Sequence, residues 1–165
     1  MSIVVSDTSP VRALDFLRLL TALKDVYGTV LIPPAVEQEL RNPGADFAPI
    51  DVRSLANFQI AAPEDLDLIN RLRARLDFAE SEALVLALER SAGAVLIDET
   101  AGRAVAEELG LKTTGTVGVL LEMKLRGIIP RVAPLLYQLK HELDFFLGDQ
   151  FVAEVIKRAG EDTYT

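Results

Sequence analysis

The chain has no cysteine and one histidine, His141, among its 165 residues. The first absence removes disulfides, thiolate nucleophiles and zinc–thiolate sites together. The second leaves a histidine-rich metal site or a Ser–His–Asp triad hanging on His141 alone, far in sequence from the acids weighed below. Basic residues are outnumbered, 17 Lys and Arg against 25 Asp and Glu, for a net charge of −8. A protein that coats DNA carries a basic face, so that class is disfavoured. A nuclease is not, because a cluster of metal-binding acids is itself negative until the cation arrives. No long uncharged apolar run occurs, and no basic N-terminal segment precedes an apolar stretch, so a soluble, cytoplasmic protein with no membrane partner is expected. Linkers, repeats and low-complexity tracts are also missing. One domain over 1–165 is expected, with C-terminal helices from about 130 packing on it.

What is present is apolar for a soluble chain: half the residues are hydrophobic and the mean hydropathy is +0.25. Short β-branched runs read as buried strands at Ile3–Ser6, Thr29–Ile32 and Ala94–Ile97, with shorter ones at Phe58–Ala61, an edge candidate, and Lys112–Thr114. Between them lie helical stretches: Ser9 to about Lys24, Pro34 through Leu40, "PEDLDLINRLRARL", "AESEALVLALERSAG", a helix ending at Leu109-Gly110, and further helices to about Arg158. Strands alternating with helices predict a three-layer α/β/α sandwich around a short, mainly parallel sheet. In such sheets ligands gather at the carboxyl ends of the strands. Asp7 and Asp98 both stand at such ends, which makes them neighbours in space.

Most of the acids are solvated surface, so the informative ones are those whose burial would be costly without a cation. On the helix after Pro33-Pro34, Glu39 lies roughly 40° from the centre of the apolar face and Glu37 roughly 120° away. Glu37 is therefore expected to point outward, and Glu39 is either a site acid or a boundary residue. "DFAE" has capping-box spacing, with Asp77 as N-cap and Glu80 returning to its N–H. Glu82 has no such duty and heads the apolar run "ALVLAL". It is the acid expected at the site, against the alternative of a first-turn acid favoured by the helix dipole. Asp98 could be an N-cap, with Glu99 starting the next helix. Its coincidence with Asp7 argues for more. Acids converging on one sheet edge repel each other by several kcal/mol, roughly, unless a proton or divalent ion intervenes. Oxygen ligands without His or Cys select Mg²⁺ or Mn²⁺.

Other features are weaker. Arg71, Arg73 and Arg75 in "RLRAR" are candidates for phosphate contacts, although such runs commonly form a solvated face. "TTGTVG", containing Thr116, has the residues of a turn near a site and matches no phosphate-loop pattern.

In order along the chain, "VVSDTSP", "VLIPPAVEQEL", "AESEALVLALE" and "AVLIDETAGRAVAEELG" resemble the four acidic blocks of the PIN-domain nucleases, as found in VapC-like toxins of prokaryotic toxin–antitoxin pairs. "TTGTVGVLLEMKLRGIIP" and the tail "FFLGDQFVAEVIKRAGE" are similar to one prokaryotic branch of that family. The resemblance covers nearly the whole chain. It implies a PIN-like sandwich with Asp7, Glu39, Glu82 and Asp98 as metal-binding, catalytic acids, supported by Thr8, Ser9, Glu80, Glu99 and Thr116. It further implies Mg²⁺- or Mn²⁺-dependent hydrolysis of RNA phosphodiesters, with an antitoxin protein as partner. Two departures stand out: Ser9 where many members have Asn, and Glu at the third acid where Asp is common. Relatives pair, and the apolar "VGVLLEM" suggests surface for a homodimer. Two rivals remain. A haloacid-dehalogenase-type phosphatase needs a second acid two residues after Asp7, where Ser9 stands. A non-catalytic binding module would keep the fold and use the acids for structure or for a partner.

Overall fold

The computed structural model describes residues 3–162. Five strands, β1 (Val4–Ser6), β2 (Val30–Ile32), β3 (Phe58–Ile60), β4 (Ala94–Leu96) and β5 (Thr113–Thr114), form one sheet in the order β3-β2-β1-β4-β5. All four pairings are parallel. Each strand lies within a residue or two of its expected position, and β3 is indeed an edge.

Strand alternation sorts the core into two halves, because successive side chains point to opposite faces. Val4, Val30, Ile32 and Leu96 belong to one apolar cluster, and Val5, Leu31, Val95 and Ile97 to the other. The first is covered by α1 (Thr8–Phe16), α2 (Leu23–Tyr27), α3 (Pro34–Arg41), α7 (Thr116–Leu125), α8 (Ala133–Glu142) and α9 (Asp149–Arg158). The second is covered by α4 (Leu66–Leu72), α5 (Phe78–Glu89) and α6 (Thr100–Glu108). The result is the three-layer α/β/α sandwich. The C-terminal helices reach the core through Leu136, Leu139, Val152 and Val155. Their corner is held by Glu161, whose carboxylate accepts the Val132 and Ala133 N–H groups at 2.8 and 3.1 Å.

Two expectations need correction. The helix from Ser9 to Lys24 is broken: α1 ends at Phe16, Arg18 takes φ +61°, and a short 3₁₀ turn at Leu20–Ala22 precedes α2. The apolar spacing continues across the break, which is why it read as one helix, yet the left-handed residue lets the Leu19 N–H reach the Leu14 carbonyl (2.8 Å) and close α1. The run "VGVLLEM" is not spare surface either. Val119, Leu120 and Met123 are fully buried within the chain, so the stretch offered as a pairing surface is largely consumed in the core. Among the described residues no helix is long and apolar enough to cross a membrane.

Candidate active site

The tight corner between β1 and α1 places Asp7 at the carboxyl end of the central strand. Its N–H donates to the Leu96 carbonyl (2.9 Å), continuing the ladder to β4, and the residue is 5% exposed. Asp7 occupies the N-cap position of α1, but its side chain makes no capping hydrogen bond. Burial pushes its carboxyl up to about 7, against the pull of the Thr8 backbone N–H, and the charges of Glu80, Asp77 and Glu39 push the same way. No cation appears among these influences.

Asp7 opens into a cavity of about 330 Å³. Six carboxylates line it, from Asp7, Glu39, Asp77, Glu80, Glu99 and Asp144, against one guanidinium, that of Arg12. Arg12 is held in place by donating to the Glu39 carbonyl (3.0 Å) and by lying over the Phe47 ring, 4.5 Å from its centre. Glu39, on α3, is half-buried and accepts from the Thr8 hydroxyl at 3.4 Å. Burial and the nearby Asp77 raise its pKa, while Arg12 and Thr8 oppose the rise. Glu80 is likewise raised, first by burial, with the charges of Asp77 and Glu99 adding to it and the Asp77 N–H opposing.

The capping box forms as expected: Asp77 accepts the Glu80 N–H at 2.7 Å, and Glu80 accepts the Asp77 N–H at 3.1 Å. It does not remove Glu80 from the site. One carboxylate oxygen serves the cap while the side chain still lines the cavity, and α6 approaches it closely because Gly102 has no Cβ. An atom there would meet Ile97 and sit 3.1 Å from Glu80 Oε2.

Glu82, the acid expected at the site, is placed off the cavity. Its Oε1 accepts the Ala35 N–H at 2.9 Å, and the residue is not on the cavity wall. The reason lies in the proline pair. Neither Pro33 nor Pro34 has an N–H, so Ala35 offers the first free donor at the start of α3, and Glu82 takes it. Glu37 is also corrected. It is only 7% exposed, yet it points away from the cavity and is neutralised by Arg41 one turn on and by Arg53 at 3.2 Å.

Asp98 stands beside the cavity rather than on its wall, and both of its oxygens accept hydrogen bonds. It accepts the Thr116 N–H (2.7 Å), the Thr116 hydroxyl (2.8 Å) and the Ser9 hydroxyl (3.0 Å). It thus caps α7 from across the sheet edge, not its own following helix. Ser9 and Glu99 line both the acid cavity and the space next to Asp98. The "RLRAR" arginines lie off the cavity: Arg75 pairs with Glu108 at 2.6 and 3.0 Å, and Arg73 lies over Phe78. Sequence reasoning missed Asp77, Arg12 and Asp144 as cavity residues. Asp77 was visible only as a cap, and nothing local to Arg12 or Asp144 signals the others.

The donor set is hard oxygen throughout, which suits Mg²⁺ or Mn²⁺ chemically. Among the described residues, however, no three acidic or histidine side chains stand close enough together, as they are arranged, to hold one ion. A family model described as a PIN domain matches residues 3–161. No curated protein matches the chain.

Proposed function

From the premise that the chain belongs to the PIN-domain family, whose members are generally nucleases, we propose that it is a Mg²⁺- or Mn²⁺-dependent endoribonuclease. The finer reading, a toxin held in check by an antitoxin protein, rests on the sequence resemblance. The observation that carries the nuclease reading is Asp7. It is a buried strand-end acid with no basic partner among the described residues, raised to about 7 in a cavity where Glu80, Asp77 and Glu39 add to the rise. An acid so placed lacks a counter-charge, and a divalent ion is the counter-charge that such a cavity admits.

On this reading Asp7, Glu39 and Glu80, with Glu99 at the rim, would have to draw closer together than they stand here to hold the ion. A bound ion supplies Lewis acidity, which lowers the pKa of a water and neutralises charge developing on a phosphodiester. The chain's own residues do the rest. The Thr8 hydroxyl steadies Glu39, Ser9 and Thr116 fix Asp98, and Arg12 offers a substrate phosphate the one guanidinium that the described residues bring to the cavity. No side-chain nucleophile is required, in keeping with the lack of cysteine and the placement of His141 on α8, off the cavity.

One observation favours a second reading, a PIN-fold binding module without catalysis: among the described residues no three of the acids converge as arranged. Cleavage of labelled RNA in Mn²⁺, in Mg²⁺ and in EDTA decides between them. The nuclease reading expects metal-dependent cleavage that Asp7→Asn removes while circular dichroism shows an intact fold. Cleavage that is equal in the variant, or absent from pure wild type, would favour the module.

A further inference from the structure

The acid cavity continues past Asp98. Through Ser9, Glu99, Asp144 and Phe145 it shares a wall with a second cavity of about 700 Å³, built by the start of α6, the turn into α7, the α8–α9 connection and α9. Folding alone does not account for what lines this second cavity. Phe146 is 98% exposed and Phe151 is 51% exposed, although each ring would gain from burial. A loose connection is not the cause. Leu147 is buried in the core, Phe145 packs against it, and Asp144 at φ +54° lets the Phe145 N–H donate to the Leu139 carbonyl at 2.9 Å. The backbone is anchored on both sides of Phe146, and the ring is left in solvent.

Arg103 is the second unexplained feature. It is partly buried in the same cavity, and its guanidinium makes no hydrogen bond or ion pair among the described residues, in a chain of net charge −8. Its guanidinium lies against the bare glycine of the turn: a Cβ on Gly115 would be 2.8 Å from Arg103 Nη1 and 3.0 Å from Asp98 Oδ1.

We infer that Arg103, Phe146 and Phe151 form a nucleotide subsite for a single-stranded polynucleotide, beside the phosphodiester held at the acid cavity. A base presents a flat π-face to phenylalanine, and its phosphate accepts from a guanidinium. Bases inside a duplex are already stacked on each other and cannot reach the rings, so the geometry selects single strands. The role of the neighbouring cavity rests on the nuclease reading; the subsite itself is measurable without cleavage.

The test is fluorescence anisotropy of a short labelled single-stranded RNA in millimolar Ca²⁺, alongside Mn²⁺-dependent cleavage and light scattering of the same samples. The double variant Phe146→Ala/Phe151→Ala should bind at least about fivefold more weakly, the scale of a lost stacking contact. Arg103→Ala should weaken binding and flatten its salt dependence, with partial recovery in Arg103→Lys. A duplex of the same sequence should bind less well than the single strand. Wild-type protein that fails to bind RNA, or variants that bind as wild type does, overturn the subsite. So does a wild-type dimer that Phe146→Ala makes monomeric with RNA binding unchanged, since the rings would then be a contact between copies. Lost binding in the variants with no cleavage by wild type leaves the subsite standing and removes the nuclease reading. Normal cleavage and normal binding in the variants do the reverse.

Discussion

The Glu82 carboxylate and the Ala35 N–H meet at 2.9 Å, joining α5 to the first turn of α3, while Glu80, half a turn earlier, lines the cavity with Asp7. On the proposed reading the two glutamates divide a structural and a site role between them.

Glu80→Gln should abolish metal-dependent cleavage with little loss of stability, because the amide oxygen can still accept the Asp77 N–H but is a poor ligand for a hard cation. Glu82→Gln should cleave like wild type, since its amide oxygen can still cap Ala35. Glu82→Ala should lose about 1–3 kcal/mol, the cost of an unsatisfied buried donor, without losing activity where folded. Cleavage assays with urea melts of the three variants check this. The reverse pattern would return the site role to Glu82.

The apo protein should be less stable at pH 8 than at pH 5. Asp7 has a folded pKa of about 7 against an ordinary 3.8, so the native state holds this proton more tightly than the unfolded chain does. Stability contributed by the protonated form is full below about 3.8 and is lost as pH rises through 7, in total on the order of 4 kcal/mol. Asp7→Asn removes this share of the titration and leaves that of Glu39 and Glu80, which are raised in the same direction. Urea melts in EDTA across that range should slope downward for wild type and less steeply for the variant, and parallel curves would refute the assignment.

Adding Mn²⁺ should raise the melting temperature of wild type but not of Asp7→Asn. A ligand that binds only the native state stabilises it by about 2.7 kcal/mol at a hundred times its dissociation constant. Scanning fluorimetry over a Mn²⁺ series reads this directly. Equal shifts in both proteins would place the ion elsewhere.

Gly102→Ala should destabilise the fold by about 1–3 kcal/mol despite a gain in helix propensity, because the new methyl collides with Ile97 where α6 packs on the sheet. The displaced helix also presses on Glu80, so metal-dependent cleavage should fall in the folded variant. Stability equal to wild type would show that the helix shifts freely.

Much of this protein is determined by sequence alone. The β-branched runs and their spacing specify a parallel sheet, and β1 ending at Asp7 specifies an acid at its carboxyl edge. Proline at the head of α3 and "DFAE" before α5 specify two helix starts. These are local signals, and local physics decides them. The division of labour between Glu80 and Glu82 was decided by tertiary structure. A capping box says which N–H one carboxylate serves, but not where its other oxygen points, and only the packing of α3 on α5 shows that Ala35 needs Glu82. The same holds for Glu37, buried on the side where Arg53 reaches it from sixteen residues away. Arg103, on α6, and Phe146, in the α8–α9 connection, lie 43 residues apart in the chain and share a cavity only because the fold brings those two segments together. Periodicity reports which face of an element is apolar; it carries no information about which distant group will meet the polar one.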